Sequence, residues 1–268
     1  MKNRVAVKGV PWDEQSSYLK GCAAAPDLIR RAFLSPGTNT CAENGWEIGR
    51  DERFVFLENM RLSSGTPVLG EIEAQANALI SSGETPIFLG GDHAVTYPLV
   101  KALAARFGRI NILHFDAHPD LYDHLNGDRY SHACPFARLW EEGLIRRHVA
   151  AGIRTSNPHQ KEQAEKFGSE ILEMRRFPWE SFLEFQGPVY LSLDLDVLDP
   201  AFAPGVSHHE PGGISARELI GMIQGIRAEV VGADIVEYNP DRDLNGVTAM
   251  VAAKLLKEIA VKLLCDRQ

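Results

Sequence analysis

The sequence predicts an α/β fold, three layers α/β/α around a central, mostly parallel sheet, and three observations carry it. Short apolar runs alternate with longer helix-periodic stretches along the chain, the order expected when each strand is followed by a crossover helix. The runs are nearly continuous in apolar residues, as in Pro86-Ile87-Phe88-Leu89 and Pro188-Val189-Tyr190-Leu191. Strands covered on both faces read this way, whereas a strand with one wet face alternates. Finally, a chain of 268 residues is long enough to bury one large core, and a single domain over 1–268 is expected.

Apolar runs place strands near 4–9, 53–58, 86–90, 110–116, 148–153, 188–194 and 230–236, with a shorter candidate at 170–174. Helical patterns fill the intervals near 26–34, 67–82, 94–107, 133–146, 158–167, 215–226 and 247–263. Two loops stand out, His124–Ser131 and the Gly/Pro-rich Ala201–Gly213. The latter directly follows a cluster of candidate ligands, which makes it a shaped active-site loop rather than a linker. No internal repeat or low-complexity tract divides the chain.

Hydrophobic residues are 44% and charged residues 24% of the chain, as in an ordinary soluble globule. A net charge of −8, a pI near 5.6 and the lack of a basic stripe exclude nucleic acid as a partner. The pairs Arg30-Arg31 and Arg175-Arg176 read as solvated positions. Cys22, Cys41, Cys134 and Cys265 form no C-x-x-C pair, so reduced thiols in a cytosolic protein are the simplest account. The segment Met1–Gly9 lacks an apolar core of signal-peptide length. No uncharged apolar stretch approaches the roughly 18 residues of a membrane span. A cytoplasmic protein without a membrane partner is expected.

Chemistry concentrates just past the expected strand ends, where open α/β sheets bind their ligands. Asp116-Ala117-His118-Pro119-Asp120 follows Ile110–Phe115, Ser192-Leu193-Asp194-Leu195-Asp196 follows Pro188–Leu191, and Gly90-Gly91-Asp92-His93 follows Pro86–Leu89. Asp, His and Asp at alternate positions can share one small volume. Unpaired carboxylates there would lose their hydration, a cost that a divalent cation removes. The candidate metal ligands are His93, Asp116, His118, Asp120, Asp194 and Asp196. Their four carboxylates balance two divalent cations, so a two-metal site is predicted, with Asp116 and Asp194 placed to bridge. Such a pair lowers the pKa of a shared water toward neutrality. Oxygen donors with some imidazole and no cysteine suit manganese, although ligand identity alone leaves zinc, cobalt, iron and nickel open. One His or Asp past a strand is ordinarily a cap or turn residue, and Asp92, Asp123 and Asp199 are read as such or as outer partners. Six at three successive tips point to metal.

These segments resemble the signature motifs of the ureohydrolases, the arginase/agmatinase family, over nearly the whole chain from Ser16-Ser17-Tyr18-Leu19 to the last helix. The resemblance is to the plant-type arginase branch above all, in Tyr130-Ser131-His132-Ala133 and Pro200-Ala201-Phe202-Ala203-Pro204-Gly205-Val206-Ser207-His208. It implies a three-layer α/β/α fold, two Mn2+ per chain, release of urea from a small guanidino substrate, and a homo-oligomer, trimer or hexamer. It also assigns roles. Glu237, in Asp234-Ile235-Val236-Glu237-Tyr238, matches the guanidinium-binding glutamate; that planar cation seeks a bidentate acceptor. His132 matches a histidine that moves a proton or contacts substrate, and imidazole ordinarily titrates near neutrality. By the same analogy Asp120 assists proton transfer after attack, and His132 helps to protonate the leaving amine.

Two other readings compete. A metal-dependent amide deacetylase shares the general scaffold but resembles a single-zinc site, which the Asp194-x-Asp196 pair fits poorly. A binding module that retained the fold without catalysis would not need every ligand intact. For the substrate, the loop His124–Ser131 decides. Asn126, Arg129 and Ser131 offer donors to an α-carboxylate, but Asp128 stands where the similar plant-type enzymes carry a neutral Asn, and it would repel that carboxylate. Pro135-Phe136 also resembles the agmatinase version of the loop. The expected substrate is therefore agmatine, cleaved to putrescine and urea, with Asn126, Asp128 and Ser131 as binding residues. Arginine, cleaved to ornithine and urea, or another guanidino compound is the alternative.

Overall fold

In the computed structural model, which describes residues 4–64, 67–177 and 182–265, eight strands form one sheet in which every pairing is parallel. They are β1 (Val5–Gly9), β2 (Phe54–Phe56), β3 (Thr85–Leu89), β4 (Ile110–Phe115), β5 (Ile145–Ile153), β6 (Glu170–Glu173), β7 (Glu184–Asp194) and β8 (Arg227–Val236). Seven helices connect or follow them: α1 (Ala25–Phe33), α2 (Val68–Ser81), α3 (Thr96–Phe107), α4 (Pro135–Glu141), α5 (Pro158–Phe167), α6 (Ala216–Gly225) and α7 (Val247–Cys265).

Alternate strand residues feed two separate cores, which makes three layers. Val7, Leu89, Phe115, Leu193 and Ile235 pack with the apolar faces of α1, α6 and α7. Ala6, Phe88, Ile112, Tyr190 and Val236 pack with those of α2, α3 and α4. Local signals end the helices where the layers require it. Asn157 caps α5 by accepting from Gln160 N–H, and Ser215 with Glu218 closes a capping box on α6.

β5, β7 and β8 begin three or four residues earlier than expected, and the largest difference is at α4. The helix predicted over 133–146 ends at Glu141, and β5 starts at Ile145. Gly143 turns the chain at φ 68°, and Ile110 N–H donates to the Leu144 carbonyl at 2.9 Å, drawing the following residues onto the sheet. The short candidate at 170–174 is a strand, paired with β5. Among the described residues no helix is long and apolar enough to cross a membrane.

The strand order is β2-β1-β3-β8-β7-β4-β5-β6. β3 and β4 are successive in sequence but separated in the sheet by β8 and β7. Four carboxyl-terminal tips therefore meet at the centre of the sheet, at a crossover point of the kind where such folds bind ligands.

Candidate metal centre and substrate cleft

Each central tip is shaped to deliver a polar side chain. After β3 the backbone turns at Gly90-Gly91, and a Cβ on Gly91 would lie 1.8 Å from the Trp12 carbonyl oxygen. His93 opens the short helical turn that follows, capped by Asp92 through Ala94 N–H at 3.1 Å. β4 runs into Asp116, β7 ends on Asp194 with Asp196 in the next turn, and β8 runs into Glu237 at φ 63°.

His93 Nδ1 lies 3.1, 3.0 and 3.2 Å from Oδ2 of Asp116, Asp120 and Asp194, respectively, in a buried cluster. Its other nitrogen is 3.0 Å from Ser192 Oγ, whose hydroxyl donates to Asp234 Oδ1 at 2.8 Å. That chain sets the ring proton on Nε2. Nδ1 then makes no hydrogen bond and turns a bare lone pair toward three carboxylates. A lone pair facing anions in a buried site calls for a cation between them. Without one the ring takes up a proton: burial opposes it, but the three carboxylates prevail and hold His93 well above its ordinary pKa.

A second group adjoins the first. His118 Nδ1 is 2.9 Å from Asp196 Oδ2 and 3.3 Å from Asp116 Oδ1, and its Nε2 is 3.7 Å from Glu210 Oε1. Asp116 thus presents one oxygen to each histidine, the position of a bridging ligand. Asp194 gives Oδ2 to His93 while its Oδ1 accepts Asp196 N–H at 2.8 Å. Burial and the facing Asp196 and Asp116 charges push the Asp194 carboxyl well above the usual range. Imidazole nitrogens and carboxylate oxygens in two adjoining groups fit a pair of divalent cations.

The sequence reading missed the supporting partners. His114 Nε2 stands 2.7 Å from Asp116 Oδ2, and a histidine inside an otherwise apolar run was the available signal. Asp234, which also accepts from Thr96 Oγ1 at 2.7 Å and Tyr190 OH at 2.8 Å, left no comparable trace in the sequence.

Above the acids opens a cleft of about 210 Å³ whose wall includes Ser17, Tyr122, His132, Gln160, His208 and Glu237. His132 Nδ1 donates to the Gln15 carbonyl at 2.8 Å, so its Nε2 keeps a lone pair, 3.4 Å from Ser17 Oγ. Glu237 Oε1 accepts His93 N–H at 2.8 Å and Oε2 accepts the Cys22 thiol at 3.6 Å. Burial, reinforced by Asp92, pushes the Glu237 carboxyl up to about 8, the mark of an anion site without its cation.

Asn126, Asp128 and Ser131 do not line this cleft. Asn126 sits exposed at φ 53°, Asp128 Oδ1 accepts Tyr130 N–H at 2.8 Å, and buried Ser131 Oγ lies 3.3 Å from His132 Nδ1. Arg129 donates to Glu141 Oε2 at 2.7 Å. Asp92, Asp123 and Asp199 occupy turns: Asp199 gathers the N–H groups of Ala201, Gly212 and Gly213 and so folds the 201–213 loop.

A model of the Arginase family matches residues 3–261. The protein named arginase 1, mitochondrial, of Arabidopsis thaliana is 42% identical over 280 residues, covering 98% of this chain and 82% of its own. A protein named agmatinase of Neisseria meningitidis is 35% identical over 271 residues, with 94% and 85% covered. Among solved structures, the arginase from Medicago truncatula superposes with a TM-score of 0.93 at 38% identity, over 98% of this chain and 88% of that one.

Proposed function

The chain belongs to the arginase family and is a ureohydrolase; from that premise we propose that it hydrolyses L-arginine to ornithine and urea with two Mn2+ per chain. The observation that carries arginine over agmatine is the likeness to plant arginases, at 40–42% identity against 35% for the agmatinase. The cleft supports the same choice. Asp128, whose charge argues for agmatine, is not part of the cleft wall, and its Oδ1 accepts the Tyr130 N–H of its own turn.

In this reading His93, Asp116, His118, Asp120, Asp194 and Asp196 hold the ions, which supply Lewis acidity and a water of lowered pKa when bound. Glu237, fixed by His93 N–H and the Cys22 thiol, orients the guanidinium through its two oxygens. His132 moves a proton at Nε2, and Asp120, on the cleft floor, assists the transfer. The substrate tail meets Tyr122 and Gln160. Tyr122 OH accepts from Asn157 Nδ2 at 2.6 Å and keeps its own proton to donate. Gln160 Oε1 accepts Leu121 N–H at 3.2 Å, so the amide's remaining capacity is as a donor. Donors without a cationic partner suit a carboxylate already flanked by its own ammonium.

The proposed protein is a homo-oligomer, trimer or hexamer, by family likeness. Its cytoplasmic placement rests on four free cysteines, whereas plant relatives carry mitochondrial or chloroplastic names. Urea release with L-arginine, agmatine and guanidinobutyrate as alternatives tests the substrate. A kcat/KM higher for arginine is expected, and a higher value for agmatine would restore the other reading.

A further inference from the structure

β5 ends in a way that serves the neighbouring strands. Gly152 adopts φ 101°, and a Cβ there would lie 2.9 Å from the Asp116 carbonyl oxygen and 2.5 Å from Val197 Cγ2. This close approach brings Arg154 beneath the ligand-bearing loops. Its backbone N–H donates to the Ala117 carbonyl at 2.9 Å, between Asp116 and His118. Its guanidinium then meets five main-chain carbonyls. Nε donates to Glu210 O at 2.8 Å, Nη1 to Gly152 O and Val197 O at 3.2 Å each, and Nη2 to Asp196 O at 2.6 Å and Leu198 O at 3.3 Å.

Five donors in a rigid fork are all that a guanidinium has. Here they join the turn that carries Asp196, the loop that carries Glu210 and the end of β5 at Gly152, while the main-chain N–H of Arg154 holds the segment that carries His118. The Asp196 turn and the His118 segment are also tied directly, as Ala117 N–H donates to Asp196 Oδ1 at 3.0 Å. Nothing comparable runs from Arg154 to His93, which is held by the Ser192–Asp234 chain. The two halves of the centre therefore have separate braces.

We propose that Arg154 is the positioning residue of the His118–Asp196 half of the metal centre and leaves the His93 half untouched. Lysine cannot replace it, because one ammonium has three donors on a flexible stem and cannot span carbonyls from three segments. Partners that orient metal ligands typically change affinity by about 10–100-fold when lost. The inference rests on the two-metal reading, and the experiment separates the two.

The test is a Mn2+ titration of the metal-stripped full chain, followed by electron paramagnetic resonance, for wild type, Arg154→Lys and Arg154→Gln. Wild type should bind two ions and show a spin-coupled pair. Both variants should bind one ion with wild-type affinity and the second about 10–100-fold more weakly, giving an isolated Mn2+ signal at one equivalent. Arginine hydrolysis should recover at high Mn2+ with KM unchanged. If wild type takes up a single ion, the two-metal reading fails whatever Arg154 does. If wild type binds two, the inference about Arg154 is overturned by variants that bind both ions normally or lose both alike. It is overturned as well if neither variant keeps the wild-type circular dichroism at the titration temperature, since Arg154 would then serve the fold rather than one half-site.

Discussion

Glu237 and His132 face one cleft but are held by different groups, so their replacements should separate binding from proton transfer. Glu237→Gln removes the charge that, in the proposed function, would meet the guanidinium, while keeping the acceptor for His93 N–H. Metal content should stay at the wild-type level, and kcat/KM should fall by about 1.5–3 kcal/mol, roughly 10–150-fold. Metal loss in that variant would show that Glu237 acts through His93. His132→Asn should also retain metal, with kcat reduced by about 10²–10⁴-fold. Unchanged kcat across pH would remove His132 from the proposed proton path. Deeper in the molecule, Asp234→Asn leaves the Ser192 hydroxyl with a weaker acceptor and loosens the tautomer of His93. The expected result, read by calorimetric titration, is one Mn2+ bound about 10–100-fold more weakly with the other unaffected.

The turn after β3 is the element on which the centre depends most. Gly91 passes within contact of the Trp12 carbonyl, and its own carbonyl accepts Glu237 N–H at 2.9 Å. Gly91→Ala would force β3 and the Trp12 segment apart and shift both His93 and Glu237. A loss of about 1–3 kcal/mol in urea unfolding, with weaker metal uptake, is expected from such overpacking; wild-type stability and metal content would show that the turn can give way. The strands themselves were legible in the sequence because burial on both faces leaves unbroken apolar runs such as Ile87-Phe88-Leu89. Their polar beginnings were not. Arg146-Arg147 in β5 and Glu184, Gln186 and Gly187 in β7 lie toward solvent, and a single buried Phe185 among them makes no apolar run that would mark a strand. The proposed ligands stand out in the sequence for a related reason, since each tip carries its set within a few residues. Their braces were hidden because they are neighbours only through sheet register. His114 is opposite Ser192 on β4 and β7, and Ser192 is opposite Asp234 on β7 and β8. The loop His124–Ser131 was less legible: Asp128 suggests a charge at the substrate, and in the fold it stands outside the cleft wall with Oδ1 on a backbone N–H.

Across the whole molecule, the buried acids lie where β3, β8, β7 and β4 meet, so the charge balance of the centre is also a term in the stability of the fold. Asp194 is pushed well up by burial and by facing Asp196 and Asp116, and Glu237 is pushed up to about 8. The metal-free chain therefore favours protons on these groups at the strand tips, and cations bound only by the folded state would take their place. Binding to the native state stabilises it by about 2.7 kcal/mol per site at a free ion concentration of 100 Kd. For a chain near this size about 1 kcal/mol moves Tm by 2–4 °C, so two filled sites should raise Tm by on the order of 10–20 °C. The measurement is a thermal melt of chelator-treated protein against Mn2+ concentration, with Mg2+ as control. Tm should climb with Mn2+ in two phases, one for each site, and much less with Mg2+, which prefers an octahedral shell of oxygens and water. Asp116→Asn should flatten both phases together, because its two oxygens are the ones shared by His93 and His118. A Tm indifferent to Mn2+, or an Asp116→Asn variant that loses one phase and keeps the other, would show that the buried acids are not joined through Asp116 into a single two-metal centre.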